Sequence, residues 1–160
     1  MSIWATAVSL LAASTSLAAE VRASSLLSEN RLLVMCLPDF ETVPLQPVTE
    51  PYFKMDWEGF AERDLVLIEV NRDTGASRLV RLQPDLDESP IIFDVSYQLI
   101  EGPQITRQAM CKKDFEFILI GKDTGVKARW MNDFSEEDLF NRIDAMPMRR
   151  FEMRQKLDKN

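Results

Sequence analysis

Two cysteines are the most reactive side chains of this chain, and no histidine accompanies them. The 160 residues contain Cys36, Cys111 and no other cysteine. A thiolate can act as a nucleophile or form one half of a redox-active disulfide. Ser-His-Asp and Cys-His mechanisms, and zinc or iron sites built on histidine, all need an imidazole. The composition therefore excludes those mechanisms and leaves thiol chemistry as the most specific catalytic option.

The remaining motifs offer little other chemistry. Only five glycines are present, and none of them forms a glycine-rich phosphate loop. The acidic segment 83–90 lacks the alternating spacing of a calcium loop, so we expect a solvated loop there. Thioether ligands for copper(I) are available at Met146 and Met148, with Met131 and Met153 near them, but core packing is the favoured interpretation. We therefore expect no cofactor and no metal ion.

The net charge limits the kinds of partner. With 26 acidic and 19 basic side chains, the formal charge is -7. The summed field repels phosphate backbones and anionic lipid surfaces. A nucleic acid or a membrane surface is therefore not expected as a partner, and a protein is.

The first residues have the pattern of a secretory signal peptide. A run of small and apolar residues extends from Ala5 to Ala19, and no Lys or Arg precedes it. This pattern predicts a signal peptide over 1–18, with cleavage after Ala18 or Ala19. The alternatives are a buried core helix and a membrane anchor, for which the apolar run is shorter than the ~20 residues needed to span a bilayer. We expect a periplasmic or secreted protein without a membrane span after cleavage.

Export bears on the two cysteines, because oxidising compartments favour disulfides. Cys36 ends an apolar run that predicts a buried strand, and Cys111 lies just before another predicted strand, over 115–120. If the two strands are adjacent and antiparallel, a bridge between the cysteines is geometrically reasonable. It would close a loop of about 75 residues and contribute roughly 4 kcal/mol on the chain-entropy model. Two separate thiols and a redox-active pair remain as alternatives.

Hydrophobic periodicity and turn residues predict the elements that position the cysteines. Residues 19–30 are interpreted as a loosely held N-terminal arm, and the proline-rich segment 38–51 as a loop. The predicted strands cover 32–37, 65–70, 78–82, 91–99, 115–120 and 126–130. The predicted helices cover 52–62, 104–112 and a segment that begins at the Ser135 cap and ends or bends at Pro147. The basic tail 149–160 suits a helix C-terminus, with a binding patch as the alternative.

Three segments carry a resemblance to a known family. They are Glu62–Val70 (ERDLVLIEV), Ile120–Asp123 with Gly125–Lys127, and Leu139-Phe140 leading into Ile143–Arg150 (IDAMPMRR). Together they resemble a bacterial family of secreted proteins known only as a domain of unknown function. That family is related to a peroxiredoxin-like, thioredoxin-fold domain of vertebrate extracellular sushi-repeat and matrix proteins. The resemblance covers 31–156 and implies one thioredoxin-like α/β domain over 31–157. This fold has a mixed central sheet, flanking helices and a C-terminal β-hairpin plus helix.

The sequence departs from the redox enzymes of that fold at two places. Their nucleophile lies at the N-terminus of the first helix, usually in a Cys-X-X-Cys pair, whereas Cys36 is alone and about four residues too early. They also carry a cis-proline before the hairpin, where this chain has 112–114 (KKD). We therefore expect a non-catalytic module that binds a protein or an envelope component. The alternative is a thiol-disulfide oxidoreductase or peroxiredoxin-like enzyme that uses Cys36 or Cys111. Any specific activity is expected in 38–51 and 71–114.

Overall fold

In the part of the chain that the structure describes, seven strands form one mixed sheet, and helices cover both of its faces. The computed structural model describes residues 21–38, 55–84, 93–132 and 134–158. The strands are β1 (Val21–Arg22), β2 (Arg31–Leu37), β3 (Leu65–Asn71), β4 (Ser77–Pro84), β5 (Phe93–Glu101), β6 (Glu116–Ile120) and β7 (Val126–Met131). The helices within those ranges are α1 (Ala23–Glu29), α2 (Trp57–Glu62), α3 (Gln104–Ala109), α4 (Glu136–Asp144) and α5 (Pro147–Leu157). The expected mixed sheet, flanking helices and C-terminal hairpin plus helix are confirmed.

The strand order across the sheet is β1-β5-β4-β3-β2-β6-β7. β2 runs parallel to β3 and antiparallel to β6, while β4 and β7 continue the sheet by antiparallel pairing on either side. All seven residues of β2 are buried. A strand covered on both faces needs no polar face, which explains its continuous apolar sequence.

Alternate side chains of β2 enter two separate hydrophobic cores. Leu32, Val34 and Cys36 pack under α1 and α3. Leu33 and Met35 lie on the opposite face, under α2 and α4. Because successive side chains of a strand point to opposite faces, this one strand contributes to both cores.

Local sequence signals account for the turns and helix starts. The side chain of Asn71 accepts hydrogen bonds from the N–H groups of Asp73 and Thr74, and Gly75 has φ 74°, so 71–75 forms the predicted turn between β3 and β4. Ser135 caps α4 as predicted by accepting from the N–H of Asp138.

The N-terminal arm is not loosely held within the described residues. β1 pairs in parallel with β5, and α1 buries Ala23 and Leu26 to 1% and 5% exposure against the core. Their spacing of three residues places both side chains on one side of the helix, which is why this segment can pack. The predicted signal peptide, 1–18, lies outside the described residues.

Several predicted boundaries differ from the structure. The helix predicted over 104–112 ends at Ala109, because Met110 adopts a left-handed conformation with φ 48°. The strand predicted over 91–99 continues to Glu101 in the structure, with Leu99 64% exposed and Ile100 buried on the other face. Pro147 begins the separate helix α5, since its missing N–H is tolerated at a first helical position. In the 83–90 loop, residues 83–84 belong to β4 and the rest lie outside the described residues, as do 39–54 and therefore most of the proline-rich loop.

Candidate functional site at the disulfide end of the sheet

Cys36 and Cys111 form a disulfide, with their Cα atoms 5.8 Å apart. Cys36 lies near the carboxyl end of β2 and is fully buried, while Cys111 follows α3 and is partly exposed. The antiparallel pairing of Met35 with Phe117 brings the end of β2 beside the start of β6. This is the strand arrangement under which the sequence predicted a bridge.

Backbone and ionic contacts hold the segment between Cys111 and β6 in place. The N–H of Phe115 donates to the carbonyl of Cys36 at 2.7 Å. The Lys112 N–H donates to the carboxylate of Glu116 at 2.9 Å, and Arg129 forms an ion pair with the same carboxylate at 2.8 Å. Arg129 also donates to the Ala109 carbonyl at 2.6 Å. The disulfide is therefore one of several links that fasten the end of α3 to the sheet.

Glu116 is a buried acid at this end of the sheet. Burial raises the pKa of its carboxyl, but hydrogen bonds from the Lys112 N–H and the Arg129 guanidinium outweigh burial and hold the pKa below its ordinary value of 4.5. A depressed pKa means that the folded state favours the ionised carboxylate. We therefore expect Glu116 to be charged at neutral pH.

Acidification should remove the contribution of the Glu116 carboxylate to the free energy of unfolding. Stability contributed by a group with a depressed pKa is present above its unfolded-state pKa and is lost as the pH falls through the folded-state value. We expect the free energy of unfolding to fall as the pH is lowered below about 4.3, and to fall less steeply in Glu116→Gln. Urea denaturation at a series of pH values measures this slope. The exposed Glu101 offers a control, Glu101→Gln, and equal slopes in the two variants would contradict the expectation.

Three large apolar side chains are exposed around the disulfide, and we call them the apolar patch. Met110 is 63% exposed, Met131 43% and Phe115 41%. The N–H of Asn132, the residue after Met131, donates to the carbonyl of Phe115, and Met110 directly precedes Cys111 in the chain. Met110 and Phe115 both have positive φ, which is uncommon for residues with large side chains. The exposure of Met131 also corrects its interpretation as a core residue, and Met148, which is 51% exposed, needs the same correction.

The geometry does not place a sulfur where a thioredoxin-type nucleophile would be. Cys36 lies within a paired strand, and the next described helix, α2, begins at Trp57. No cis peptide bond occurs among the described residues, which include the 112–114 segment before the hairpin. Cys36 therefore has no nearby helix N-terminus, among the described residues, that would lower the pKa of its thiol after reduction.

A buried ionic group lies at the carboxyl end of β3, where the sequence predicts only a buried strand. Glu69 is fully buried and forms an ion pair with Arg78, its register partner on β4. The Arg78 guanidinium lies 3.9 Å from the centre of the Tyr97 ring. Burial and the Glu69 charge raise the pKa of Tyr97, while Arg78 opposes them. The sequence does contain a signal for this ion pair, because Glu69 is the single acidic residue in the otherwise apolar strand predicted over 65–70.

A second ionic group, the arginine cluster, lies at the opposite end of the sheet. Arg149 is 1% exposed and bonds to the carboxylates of Glu62 at 2.8 Å and Asp144 at 3.1 Å. Arg31, equally buried, donates to both carboxylate oxygens of Glu152 at 3.1 Å. Burial raises the pKa of Asp144, but hydrogen bonds from arginines outweigh burial and hold the pKa below its usual value.

The arginine cluster joins the three segments that carry the family resemblance. Glu62 and Asp64 come from the first segment, Lys122 from the second and Arg149 from the third. Lys122 links them further by bonding to Asp64 at 2.7 Å and to Glu152 at 3.0 Å. These motif residues therefore attach the C-terminal helix to the sheet.

A known family matches most of the chain. Residues 23–152 match a family described as a domain of unknown function (DUF4174). The chain belongs to the DUF4174 family. The matched region begins at the first residue of α1 and ends within α5, so it contains the disulfide, the apolar patch and the arginine cluster. No curated protein and no solved structure matches the chain.

Two further searches cover only the described part of the DUF4174 chain. There, no helix is long and apolar enough to cross a membrane. In the same ranges, no group of three or more Cys, Asp and Glu side chains could hold a metal ion.

Proposed function

We propose that this DUF4174 protein is an exported, thioredoxin-like module that binds a protein partner and has no catalytic activity of its own. The order β3-β2-β6-β7, with β2 parallel to β3 and the β6–β7 hairpin followed by α4, supports the thioredoxin-like part of the proposal. The apolar and small-residue pattern of 1–18 supports export. The disulfide is in keeping with an oxidising compartment.

The burial of Cys36 is the observation that carries the non-catalytic assignment. Its side chain is 0% exposed, inside a strand that is paired on both sides. A catalytic thiol must reach its substrate, so redox cysteines are at least partly exposed. The apolar patch supports the binding role, because exposed apolar clusters often mark protein interaction sites.

The alternative, a thiol-disulfide oxidoreductase, is favoured by one feature. Cys111 is partly exposed and is followed by the exposed residues Lys112 and Lys113. A substrate thiolate could attack the Cys111 sulfur, forming a mixed disulfide and releasing the Cys36 thiolate. A second thiolate of the substrate would then attack the mixed disulfide, releasing the oxidised substrate and leaving Cys36 and Cys111 reduced. An external disulfide would have to re-form the bridge, and the buried Cys36 must be reached for that step.

Thiol titration of the mature protein discriminates the two functions. The sample is taken from the exported fraction, where the intact mass should correspond to a chain that begins at residue 19 or 20. We expect no titratable thiol before reductant is added and a reduction potential below about -300 mV, as for structural disulfides. We also expect no reduction of insulin and no consumption of peroxide. Reduction by glutathione buffers together with either activity would overturn the proposal in favour of the enzyme.

A further inference from the structure

Helix α5 buries a charged side chain and exposes apolar ones, which reverses the usual pattern of a surface helix. Arg149 is 1% exposed within the arginine cluster. Phe151 is 56% exposed and Leu157 is 76% exposed. The arginine cluster explains the buried side of the helix, but nothing in the described residues covers its other side.

The exposed side of α5 has a defined composition. Arg150, Phe151, Arg154 and Leu157 are spaced so that they lie along one side of the helix, and we call this side the outer face. Arg150 and Arg154 are exposed and make no ion pair with the residues that the structure describes. The exposed Asp158, four residues after Arg154, lies on the same side, so the outer face combines apolar side chains with a net positive charge of one, on a chain whose net charge is -7.

We propose that the outer face of α5 binds an acidic segment of a partner protein. Carboxylates of the partner pair with Arg150 and Arg154, because guanidinium groups bind carboxylates through two parallel hydrogen bonds. An apolar side chain between those carboxylates packs on Phe151. Clusters of arginine side chains are a recurring means of recognising acidic motifs.

Two other occupants fit less well. A second copy of the chain, paired symmetrically through α5, would bring arginines towards arginines, which is unfavourable. An anionic membrane would also face the acidic remainder of the chain, whereas a short acidic segment contacts only the local cationic face.

The outer face lies on α5 and does not use the apolar patch, so the two surfaces can be tested separately.

A pair of synthetic peptides tests the proposal. One peptide alternates glutamate pairs with leucine, and the other carries glutamine in place of glutamate. We expect the glutamate peptide to bind the wild-type protein in a fluorescence anisotropy titration and to bind more weakly as salt is added. The double variant Arg150→Gln/Arg154→Gln should weaken binding by about 2-fold to 30-fold, the range for two exposed ion pairs. Phe151→Ala should weaken it independently.

The control removes the same charge from elsewhere on the surface. Arg22 and Arg81 are exposed arginines of the sheet, and Arg22→Gln/Arg81→Gln should leave binding unchanged. Circular dichroism confirms that each variant is folded. Equal binding of the glutamine peptide, equal loss in the control variant, or no binding to the wild type would each overturn the proposal. Binding of phosphatidylglycerol vesicles through Arg150 and Arg154, without peptide binding, would overturn it in favour of a membrane.

Discussion

Removal of the disulfide, as Cys36→Ala/Cys111→Ser, should lower the free energy of unfolding by about 4 kcal/mol. The bridge joins residues 75 positions apart, so its loss restores a large loop entropy to the unfolded chain. Cys36 is also fully buried in the core under α1 and α3, where a smaller side chain leaves a cavity. Urea denaturation with linear extrapolation measures the change.

The reduced wild-type protein separates the effect of the cross-link from that of the side chains. It keeps both sulfurs and loses only the covalent bond, so it should account for most of the loss seen in the double variant. If the reduced protein were as stable as the oxidised one, the contacts of Glu116 and Arg129 alone would hold the end of α3, and the structural role of the bridge would be wrong.

Arg149→Met should destabilise the fold by about 3 kcal/mol, the lower end of the range for removing one partner from a buried ion pair. The Arg149 guanidinium also donates to the backbone carbonyl of Glu62 at 3.0 Å, so the substitution leaves that acceptor and the Asp144 carboxylate without this donor. Because these bonds join α5 to α2 and α4, α5 should loosen first. Urea denaturation measures the total loss, and amide hydrogen exchange should report faster exchange in α5.

The neighbouring Arg150 provides a matched control on the same helix. It is exposed, so Arg150→Met should change the free energy of unfolding by no more than about 0.5 kcal/mol. Arg149→Lys keeps the charge but cannot reproduce the guanidinium geometry, and its stability should fall between those of the wild type and Arg149→Met. Equal effects of Arg149→Met and Arg150→Met would show that the arginine cluster does not stabilise the fold.

Different interactions attach helices to the two ends of the sheet. The disulfide and Glu116 hold the end of α3 at one end, while the arginine cluster holds α5 at the other. Both devices join residues far apart in the chain, as the separation of 87 residues between Glu62 and Arg149 illustrates. The disulfide restrains α3 next to the apolar patch, and the arginine cluster restrains α5, which carries the outer face.

Local sequence patterns predicted the elements that depend on local physics. The apolar run of β2, the Asn71–Gly75 turn, the Ser135 cap and the β6–β7 hairpin were all predicted, because a continuous apolar run, turn residues and a capping residue are signals carried by residues close in sequence. The disulfide was also predicted, although free thiols and a redox pair remained open. Its prediction rested on two assumptions, that the chain is exported to an oxidising compartment and that β2 and β6 are antiparallel neighbours, and the structure shows the second.

Composition and local pattern are enough to exclude histidine chemistry, to predict most of the strands and the hairpin, and to show which residues carry the family resemblance. The contacts that those residues make are visible only in the folded chain. In the fold, Glu69 lies opposite Arg78, and α1 packs on the core. Arg149, on the buried side of α5, contacts Glu62, while apolar side chains on the other side of α5 are exposed. Charged residues in a sequence predict solvation by default, and their burial depends on partners that only the folded chain brings within hydrogen-bonding distance.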